Sequence, residues 1–307
     1  LPRGRPDGGV DAGASMNTRL HPALVWLFLA GLALAGRCAE PGGGKASDAP
    51  AVVPTKTIVL YAPGMGLEAF TTWLDPHGRN NDPDRVFSVV DRIDGAPAIR
   101  VSGQHFGGLV TKEAYADYRL VLEYRWGLST WKPRETAGKD SGVLLHCQGR
   151  EGNTKPDHTS PWQHSIELMM MEGATGDVIL VYGHDEKGQK HVPEITMRTG
   201  TRERVWDPTG TPKRYVGGRL IWRDRDPAWK NELGFRGAKD IEGPDGQWSR
   251  VEAVCAGGDV SYFVNGVLVM EATDGTLRSG RLFFQSEGAE LYFRRIELHP
   301  LRASPVR

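Results

Sequence analysis

Ionisable side chains interrupt two strongly apolar runs near the middle of the chain, between Asp140 and Asp177. His146 lies in the run GVLLHC, and Glu167 lies in the run SIELMMM. A carboxylate and an imidazole in such surroundings can exchange protons with a bound molecule or ligate a metal ion. We therefore place Glu167 first, as a general base or metal ligand, and His146 second, as a catalytic or ligand residue.

Both runs have the composition of β-strands, whose successive side chains point to opposite faces of a sheet. Alternation puts Glu167 on the face opposite Ile166 and Leu168. In the first run it separates Val143, Leu145 and Cys147 from Leu144, His146 and Gln148. We expect one face to be core and the other to be a candidate site. The alternatives are a solvated outer-face carboxylate for Glu167 and a structural role for His146.

Other polar residues share strand faces or flank these runs. Glu123 and Arg125 lie two apart on one strand and are candidate catalytic residues, with a cross-strand ion-pair network as the alternative. The candidate substrate-binding residues are Gln148, Trp162, Gln163, His164, Gln285 and Glu287. For Gln163 and His164 we expect contacts at the rim of the site.

A divalent metal site is compatible with the candidate ligands but is not indicated by their spacing. His146, His164, Glu167 and Glu123 could assemble one, yet none belongs to a closely spaced ligand motif. Calcium held by aspartates and backbone carbonyls is a structural alternative. No cofactor is certain from the sequence.

The rest of the chain reads as an all-β protein. Its 39 glycines and 20 prolines separate short runs of β-formers, which predicts antiparallel sheets packed as a sandwich or jelly roll. Asn265-Gly266 predicts a two-residue hairpin turn. Short helices are expected at Gly66–Trp73 and Pro227–Leu233, and a long polar loop at Thr199–Gly218.

The net charge and the aromatic content indicate which kinds of molecule the protein could bind. Lys plus Arg and Asp plus Glu both total 38, so the zero net charge offers no basic surface for nucleic acid. Tryptophan rings stack on sugar faces, although many only pack in cores. The candidates for stacking are Trp126, Trp131, Trp162, Trp206 and Trp222.

The N-terminal region predicts export. Residues 16–35 resemble a signal peptide, with an apolar run too short for a confident transmembrane span and a small-x-small cleavage site. We interpret residues 1–15 as an upstream extension, 36–54 as a flexible linker and 55–303 as a single domain, periplasmic or secreted. Cys38 is an alternative lipid-anchor site, although Arg37 stands where a small residue is expected. Cys147 and Cys255 could pair or remain buried thiols.

Several segments resemble, in order and spacing, the 3-keto-disaccharide hydrolase domain family. The resemblance covers residues 55–300. It is carried by Tyr118-x-Leu120-x-Leu122-Glu123-Tyr124-Arg125, Asp140-Ser141-Gly142-Val143, Trp162-Gln163-x-Ser165-Ile166-Glu167, Gly176-Asp177, Gly246-Gln247-Trp248, Val264-Asn265-Gly266 and Leu282-x-x-Gln285-Ser286-Glu287-Gly288-Ala289-Glu290 to Phe293-Arg294-Arg295-Ile296. Two departures stand out: Asp140 replaces a frequent Asn, and Phe263 and Val264 stand where many relatives carry a His.

The resemblance implies a concanavalin-like jelly-roll sandwich of two curved antiparallel sheets that acts on 3-keto-glycosides. A ketone at C3 acidifies the C2 hydrogen, so the glycosidic bond can leave by elimination with later hydration. Such a substrate implies an upstream sugar 3-dehydrogenase as pathway partner. The alternatives are a non-catalytic carbohydrate-binding module and a conventional laminarinase-type hydrolase, although no strand carries that enzyme's row of carboxylates.

Overall fold

The computed structural model describes residues 50–244 and 246–301, where every regular element is a β-strand. The first strands are β1 Ile58–Tyr61, β2 Phe70–Leu74, β3 Gly78–Arg79, β4 Phe87–Ile93, β5 Ala96–Val101, β6 Gly107–Thr111 and β7 Tyr115–Ala116. Next come β8 Tyr118–Thr130, β9 Asp140–Cys147, β10 Ser165–Met171, β11 Val178–Val181, β12 Gly183–His184, β13 Lys190–His191 and β14 Glu194–Thr199. The last are β15 Thr211–Val216, β16 Gly218–Leu220, β17 Ser249–Ala256, β18 Asp259–Val264, β19 Val267–Thr273, β20 Ser279–Ser286 and β21 Ala289–Pro300.

Two large antiparallel sheets dominate the described chain. The ten-stranded sheet has the order β15-β14-β19-β18-β17-β8-β21-β5-β4, with β1 also paired to β21. The nine-stranded sheet has the order β16-β11-β10-β9-β20-β6-β2-β3, with β7 also paired to β20. Strands distant in sequence are neighbours in both sheets. The predicted all-β, concanavalin-like jelly-roll sandwich is confirmed.

The main hydrophobic core lies between the two sheets. From the ten-stranded sheet, alternate residues of β8 such as Leu120 and Leu122 point inward and are fully buried. From the nine-stranded sheet, Ile166 and Leu168 of β10 do the same. Each such side chain contributes about 1.5–3 kcal/mol through burial. The core therefore fixes which face of β10 carries Glu167.

The predicted targeting segments lie outside the described residues. These are the extension at 1–15, the signal peptide at 16–35, Cys38 and most of the linker. Val52, near the end of that linker, forms a parallel bridge with Tyr115. No helix with the length and hydropathy of a membrane span occurs in residues 50–244 and 246–301.

Three local predictions are wrong. Within Gly66–Trp73 the chain forms part of β2 rather than a helix, because Phe70–Leu74 pairs with β6. Pro227–Leu233 contains turns and no helix. The predicted loop Thr199–Gly218 contains β15, which pairs along its length with β14. Pairing with a neighbouring strand overrides local propensity in such segments.

The Asn265-Gly266 hairpin is confirmed. Val264 pairs with Val267 across it, and both turn residues have positive φ, 48° and 82°. A type I′ turn requires this conformation at both positions.

The end of β9 departs from simple alternation. His146 has a φ of 54°, and the register with β20 shifts between Arg281 and Phe283. The His146 ring consequently points into the core, 5.6 Å from the ring of Tyr118, and its Nδ1 lies 3.1 Å from the Leu277 carbonyl oxygen. Cys147 packs instead with residues of the outer face. The predicted faces of His146 and Cys147 are therefore wrong, because a bulge inserts an extra residue there.

The two described cysteines, Cys147 and Cys255, are buried free thiols. Of the two alternatives left open by the sequence, the structure shows the unpaired one. Burial raises the pKa of the Cys255 thiol to about 12. Both side chains act as small apolar groups in their clusters.

The bulge depends on Gly280. A Cβ at Gly280 would lie 2.4 Å from the His146 carbonyl carbon and 2.6 Å from the Cys147 oxygen. We predict that Gly280→Ala lowers the free energy of unfolding by about 2–4 kcal/mol, because backbone must move. Urea denaturation followed by tryptophan fluorescence measures this change. Gly138→Ala is the control, since its Cβ would meet Asn231 Oδ1 at an ordinary 3.5 Å. Equal midpoints for the two variants would contradict the role of Gly280.

Candidate functional site

Gly142 of β9 lies on the outer face of the nine-stranded sheet, between β10 and β20. A Cβ at this position would lie 2.4 Å from Gln285 Oε1 and 3.2 Å from Glu167 Oε1. The missing side chain therefore leaves space in which residues of β10 and β20 meet above β9. Gln285 hydrogen-bonds Glu167 there.

Three carboxyl groups, Asp140, Glu167 and Glu287, gather around this point and form what we call the carboxyl cluster. Glu167 is only 6% exposed and Asp140 only 4%. Arg134 supplies the positive charge at one end, with Nη2 2.7 Å from Asp140 Oδ2 and Nη1 3.9 Å from Glu287 Oε1. Two buried acids and the partly buried Glu287 thus share one directly paired guanidinium.

The environment raises the pKa of every member of the carboxyl cluster. Burial and then the charge of Asp140 raise the pKa of Glu167 to about 8. Burial raises the pKa of Asp140 to about 6, and the nearby charges of Arg134 and Arg219 limit this rise. Burial and the neighbouring carboxylates raise the pKa of Glu287 well above its ordinary value. Near neutral pH, Glu167 is therefore mostly protonated and Asp140 mostly ionised.

Arg219 brings a second positive charge to the cluster. The fully buried Asp177 holds it, accepting hydrogen bonds from Arg219 Nε at 2.7 Å and from Arg225 Nη1 at 2.6 Å. The Trp229 ring covers both guanidinium groups, with Arg219 Cζ 5.3 Å from its centroid. This anchors Arg219 where its charge limits the rise that burial causes in the pKa of Glu167 and of Asp140.

Several buried polar atoms of the site have no hydrogen-bond partner among the described residues. They are Asp140 Oδ1, Gln285 Oε1, Arg134 Nε and Arg219 Nη2. A buried polar atom without a partner costs free energy in a folded protein. A bound polar molecule such as a sugar could satisfy them.

Four predicted site residues lie near the ends of β9 and β10 and contact neighbouring backbone or rings. They are His146, Gln148, Gln163 and His164. His146 points into the core, as described above. Gln148 Nε2 donates to the carbonyl oxygens of His146 at 2.9 Å and Ser279 at 2.6 Å. Gln163 Nε2 donates to the Gly149 oxygen at 2.8 Å. His164 stacks on His191, with centroids 6.3 Å apart, and burial lowers its pKa to about 4. Within residues 50–244 and 246–301, none of the four side chains hydrogen-bonds a member of the carboxyl cluster.

Glu123 and Arg125 lie on the other sheet. Their strand, β8, belongs to the ten-stranded sheet, and both side chains point away from the core. Glu123 accepts a 2.5 Å hydrogen bond from Arg294 Nε, and Arg125 Nη1 donates to Asp94 at 2.7 Å. The structure thus separates them from Glu167 and places them in the ion-pair network that was their alternative role.

Two of the five candidate tryptophans keep an accessible ring near the site. Trp126, Trp206 and Trp222 are buried in the main core. Trp131 is 37% exposed, and its backbone nitrogen donates to the oxygen of Gly288, next to Glu287. Trp162 is partly buried on the outer face, 5.9 Å from Phe106 and 6.4 Å from Phe283 between centroids. These two rings offer flat surfaces to a sugar.

Sequence reasoning missed Asp140, Arg134, Arg219 and Asp177 as site residues. For Asp140 a signal existed, because it lies two residues before Gly142 and so shares its face. Arg134 and Arg219 lie outside β9 and β10, and no spacing rule connects them to the cluster.

The chain is similar to several solved structures and to one protein family. Similar solved structures include a protein assigned as a glycosyl hydrolase from Parabacteroides distasonis ATCC 8503, 16% identical, covering 80% of this chain and 94% of that chain at a TM-score of 0.43. Another is the carbohydrate binding module CBM66 from Bacillus subtilis, 10% identical, covering 69% and 91% at a TM-score of 0.35. No curated protein sequence matches the chain. Residues 64–299 match the model of the 3-keto-alpha-glucoside-1,2-lyase-like domain, which is more than half of the chain.

The raised pKa of Glu167 predicts a pH-dependent effect on stability. Because the folded protein binds this proton more tightly than the unfolded chain, the stability it contributes is complete below pH 4.5 and is lost as the pH rises to about 8. We expect Glu167→Gln to stabilise the protein at pH 8 by about 2–4 kcal/mol, with the difference shrinking towards pH 4. Denaturation series at both values measure it.

Glu123→Gln serves as the control for this effect, since Glu123 is ion-paired on the opposite sheet. It should show no gain in stability at pH 8. A Glu167→Gln variant that is less stable than the parent at pH 8 would contradict the raised pKa.

Proposed function

The chain belongs to the 3-keto-alpha-glucoside-1,2-lyase-like domain family, and from this premise we propose that it cleaves glycosides whose C3 hydroxyl has been oxidised to a ketone. Membership makes it a protein of a carbohydrate-processing family. The finer proposal concerns the bond that breaks and the residues that move protons.

The carboxyl cluster carries the proposal. Elimination needs a base for the C2 proton, an acid for the departing oxygen, and positive charge near the enolate oxygen. Asp140 and Glu167 have pKa values on either side of neutrality, about 6 and about 8, so one can accept a proton while the other donates. Arg134 and Arg219 supply the positive charge.

In the proposed reaction, the Asp140 carboxylate removes the proton from C2. The electrons of that C–H bond form the C1=C2 double bond through an enolate at C3, and the C1–O bond breaks. Glu167 gives its proton to the departing oxygen, which leaves as an alcohol. The sugar product is an enone, to which water can add. Arg219, oriented by Asp177, stabilises the negative charge on the C3 oxygen.

This assignment changes the role first considered for Glu167. As a mostly protonated group at neutral pH, it is better suited to act as the acid than as the base. Asp140, ion-paired to Arg134, is the better base because it is ionised near pH 7.

The proposed sugar site extends from the cluster towards Trp131 and Trp162. The unpartnered Arg219 Nη2 would donate to the keto oxygen, and Gln285 Oε1 would accept from a sugar hydroxyl. Asp140 Oδ1, which Arg134 does not pair, would face the C2 hydrogen. We also propose export through residues 16–35, and supply of the substrate by an enzyme that oxidises the C3 hydroxyl of a glycoside.

The central prediction is that the purified protein releases the alcohol from a 3-keto-glucoside and not from the unoxidised glucoside. Asp140→Asn and Glu167→Gln should each lower kcat by about 10²–10⁴-fold, because each removes a proton-transfer step. Glu123→Gln, on the opposite sheet, is the matched control and should retain the parent rate. Chromatography of the released alcohol measures all four proteins.

Two results would contradict the proposed reaction. Full activity in Asp140→Asn would remove Asp140 from the mechanism. Binding of the 3-keto-glucoside without turnover would leave a carbohydrate-binding module as the better description.

The pH dependence of kcat/KM gives a separate prediction. Activity requires Asp140 ionised and Glu167 protonated, so it should rise through about pH 6 and fall through about pH 8. The two limbs belong to the coupled pair rather than to single residues. Rates from pH 4 to 10 measure the profile, and a rate that keeps rising to pH 10 would contradict the acid role of Glu167.

A further inference from the structure

Two histidines and an aspartate converge near one edge of the sandwich, apart from the carboxyl cluster. His77 lies between β2 and β3, Asp84 between β3 and β4, and His105 between β5 and β6. Their ligand atoms, the two Nε2 atoms and Asp84 Oδ2, lie within 4.8 Å of one another. We call these residues the His-Asp-His triad.

The separations within the triad are similar to those between the ligand atoms of a metal ion. His77 Nε2 and His105 Nε2 are 3.5 Å apart, and they lie 3.7 Å and 2.8 Å from Asp84 Oδ2. Ligands at 2.0–2.1 Å from a tetrahedral Zn²⁺ are about 3.3 Å apart, close to these values. Hydrogen bonds join His105 to Asp84 at 2.8 Å and, at the long distance of 3.5 Å, the two imidazoles, but 3.7 Å is too long for a hydrogen bond between His77 and Asp84.

Each ligand is held in place by its own backbone contacts. The Asn81 side chain donates to the His77 carbonyl oxygen at 3.2 Å. The Ser286 hydroxyl donates to the His105 carbonyl oxygen at 2.7 Å. Asp82 accepts the amides of Val86 and Phe87 at 2.7 and 2.9 Å, which shapes the loop that presents Asp84. Hydrogen bonds from residues outside the triad thus hold the loops that carry it.

We propose that the triad binds a divalent transition-metal ion of the Zn²⁺ class. Two imidazoles and one carboxylate favour such an ion, whereas calcium and magnesium prefer oxygen ligands. Three protein ligands leave a further position for water or another molecule. The side chains of His77, His105 and Asp84 are 23%, 25% and 43% exposed, so solvent reaches the site.

The bound ion would join loops from both sheets beside the proposed sugar site. Strands β2 and β3 belong to the nine-stranded sheet, and β4 and β5 to the ten-stranded sheet. His105 precedes Phe106, which packs on Trp162, and is bound through its carbonyl oxygen to Ser286, next to Gln285. Metal binding would therefore stabilise the loop that lines one side of the site.

The test is a Zn²⁺ titration of the full chain, purified without a polyhistidine tag and stripped with chelator. Calorimetry should show a Zn²⁺ site that is lost, or weakened at least about tenfold, in both His105→Gln and Asp84→Asn. The melting temperature of the parent should rise with Zn²⁺, and those of the two variants should not.

His299→Gln is the matched control. His299 is also partly buried and lies 2.9 Å from a single carboxylate, Glu297, without a second imidazole at that contact. It should bind Zn²⁺ as the parent does. No Zn²⁺ binding by the parent, unchanged binding in His105→Gln and Asp84→Asn, or equal loss in His299→Gln would each overturn the proposal. None of these readouts depends on turnover, so the result stands apart from the proposed reaction.

Discussion

The structure depends on holding three carboxyl groups, two of them buried, on the outer face of the nine-stranded sheet with too little positive charge to balance them. Arg134 pairs directly with Asp140, and Arg219 contributes from beside the cluster. Burying a charge without full compensation is costly, so Glu167 holds a proton near neutral pH, whereas Asp140, paired with Arg134, is mostly ionised. The absence of a side chain at Gly142 and the anchoring of Arg219 by Asp177 both serve this arrangement. A fully paired site would be more stable but would have no proton to give.

The outer face of the ten-stranded sheet shows the opposite solution. There Glu252 contacts Arg119 and Arg250, and Glu297 contacts Arg295 and His299. The hydrogen bond from Arg295 lowers the pKa of Glu297, which is partly exposed, and the hydrogen bonds from Arg250 and Arg119 oppose the effect of burial on Glu252 and leave its pKa lowered. Acids on this face are ionised, paired and structural. The two sheets carry similar residue types, and Glu252 is as buried as Glu167, at 7% and 6% exposure, so the number of guanidinium groups paired with each acid distinguishes the two faces.

Loops at the edges of the sheets flank the carboxyl cluster. The segment that contains His105 and Phe106 contacts β20 through Ser286 and contacts Trp162 through the Phe106 ring. On the far side of the cluster, Glu172 accepts the Gly234 amide at 2.9 Å, and Trp229 donates to the Glu172 oxygen. The carboxyl cluster thus lies between loops that are fixed by hydrogen bonds to strands. Such anchoring keeps donors in position without reorganisation during a reaction.

The local sequence pattern determined the fold class, one hairpin and the face on which Glu167 lies. Strand composition and turn residues predicted the all-β sandwich and the Asn265-Gly266 hairpin, and alternation placed Glu167 on the face opposite Ile166 and Leu168. These features follow from a period of two residues, which is a property of the strand itself. The order of short motifs also indicated the family that the match over residues 64–299 shows.

The tertiary structure alone decided which residues share the site. A single bulge directs the His146 side chain into the core. The residue with positive φ shifts the alternation by one, so side chains from that point onward lie on the opposite face from the one predicted. Arg134 and Arg219 come from segments far from Glu167 in sequence, and Glu123 and Arg125 lie on the other sheet. The pairing of β9 with β20 brings Gln285 above Gly142. Alternation predicts the face of a residue within its own strand, but sheet order and burial determine its neighbours and therefore its charge.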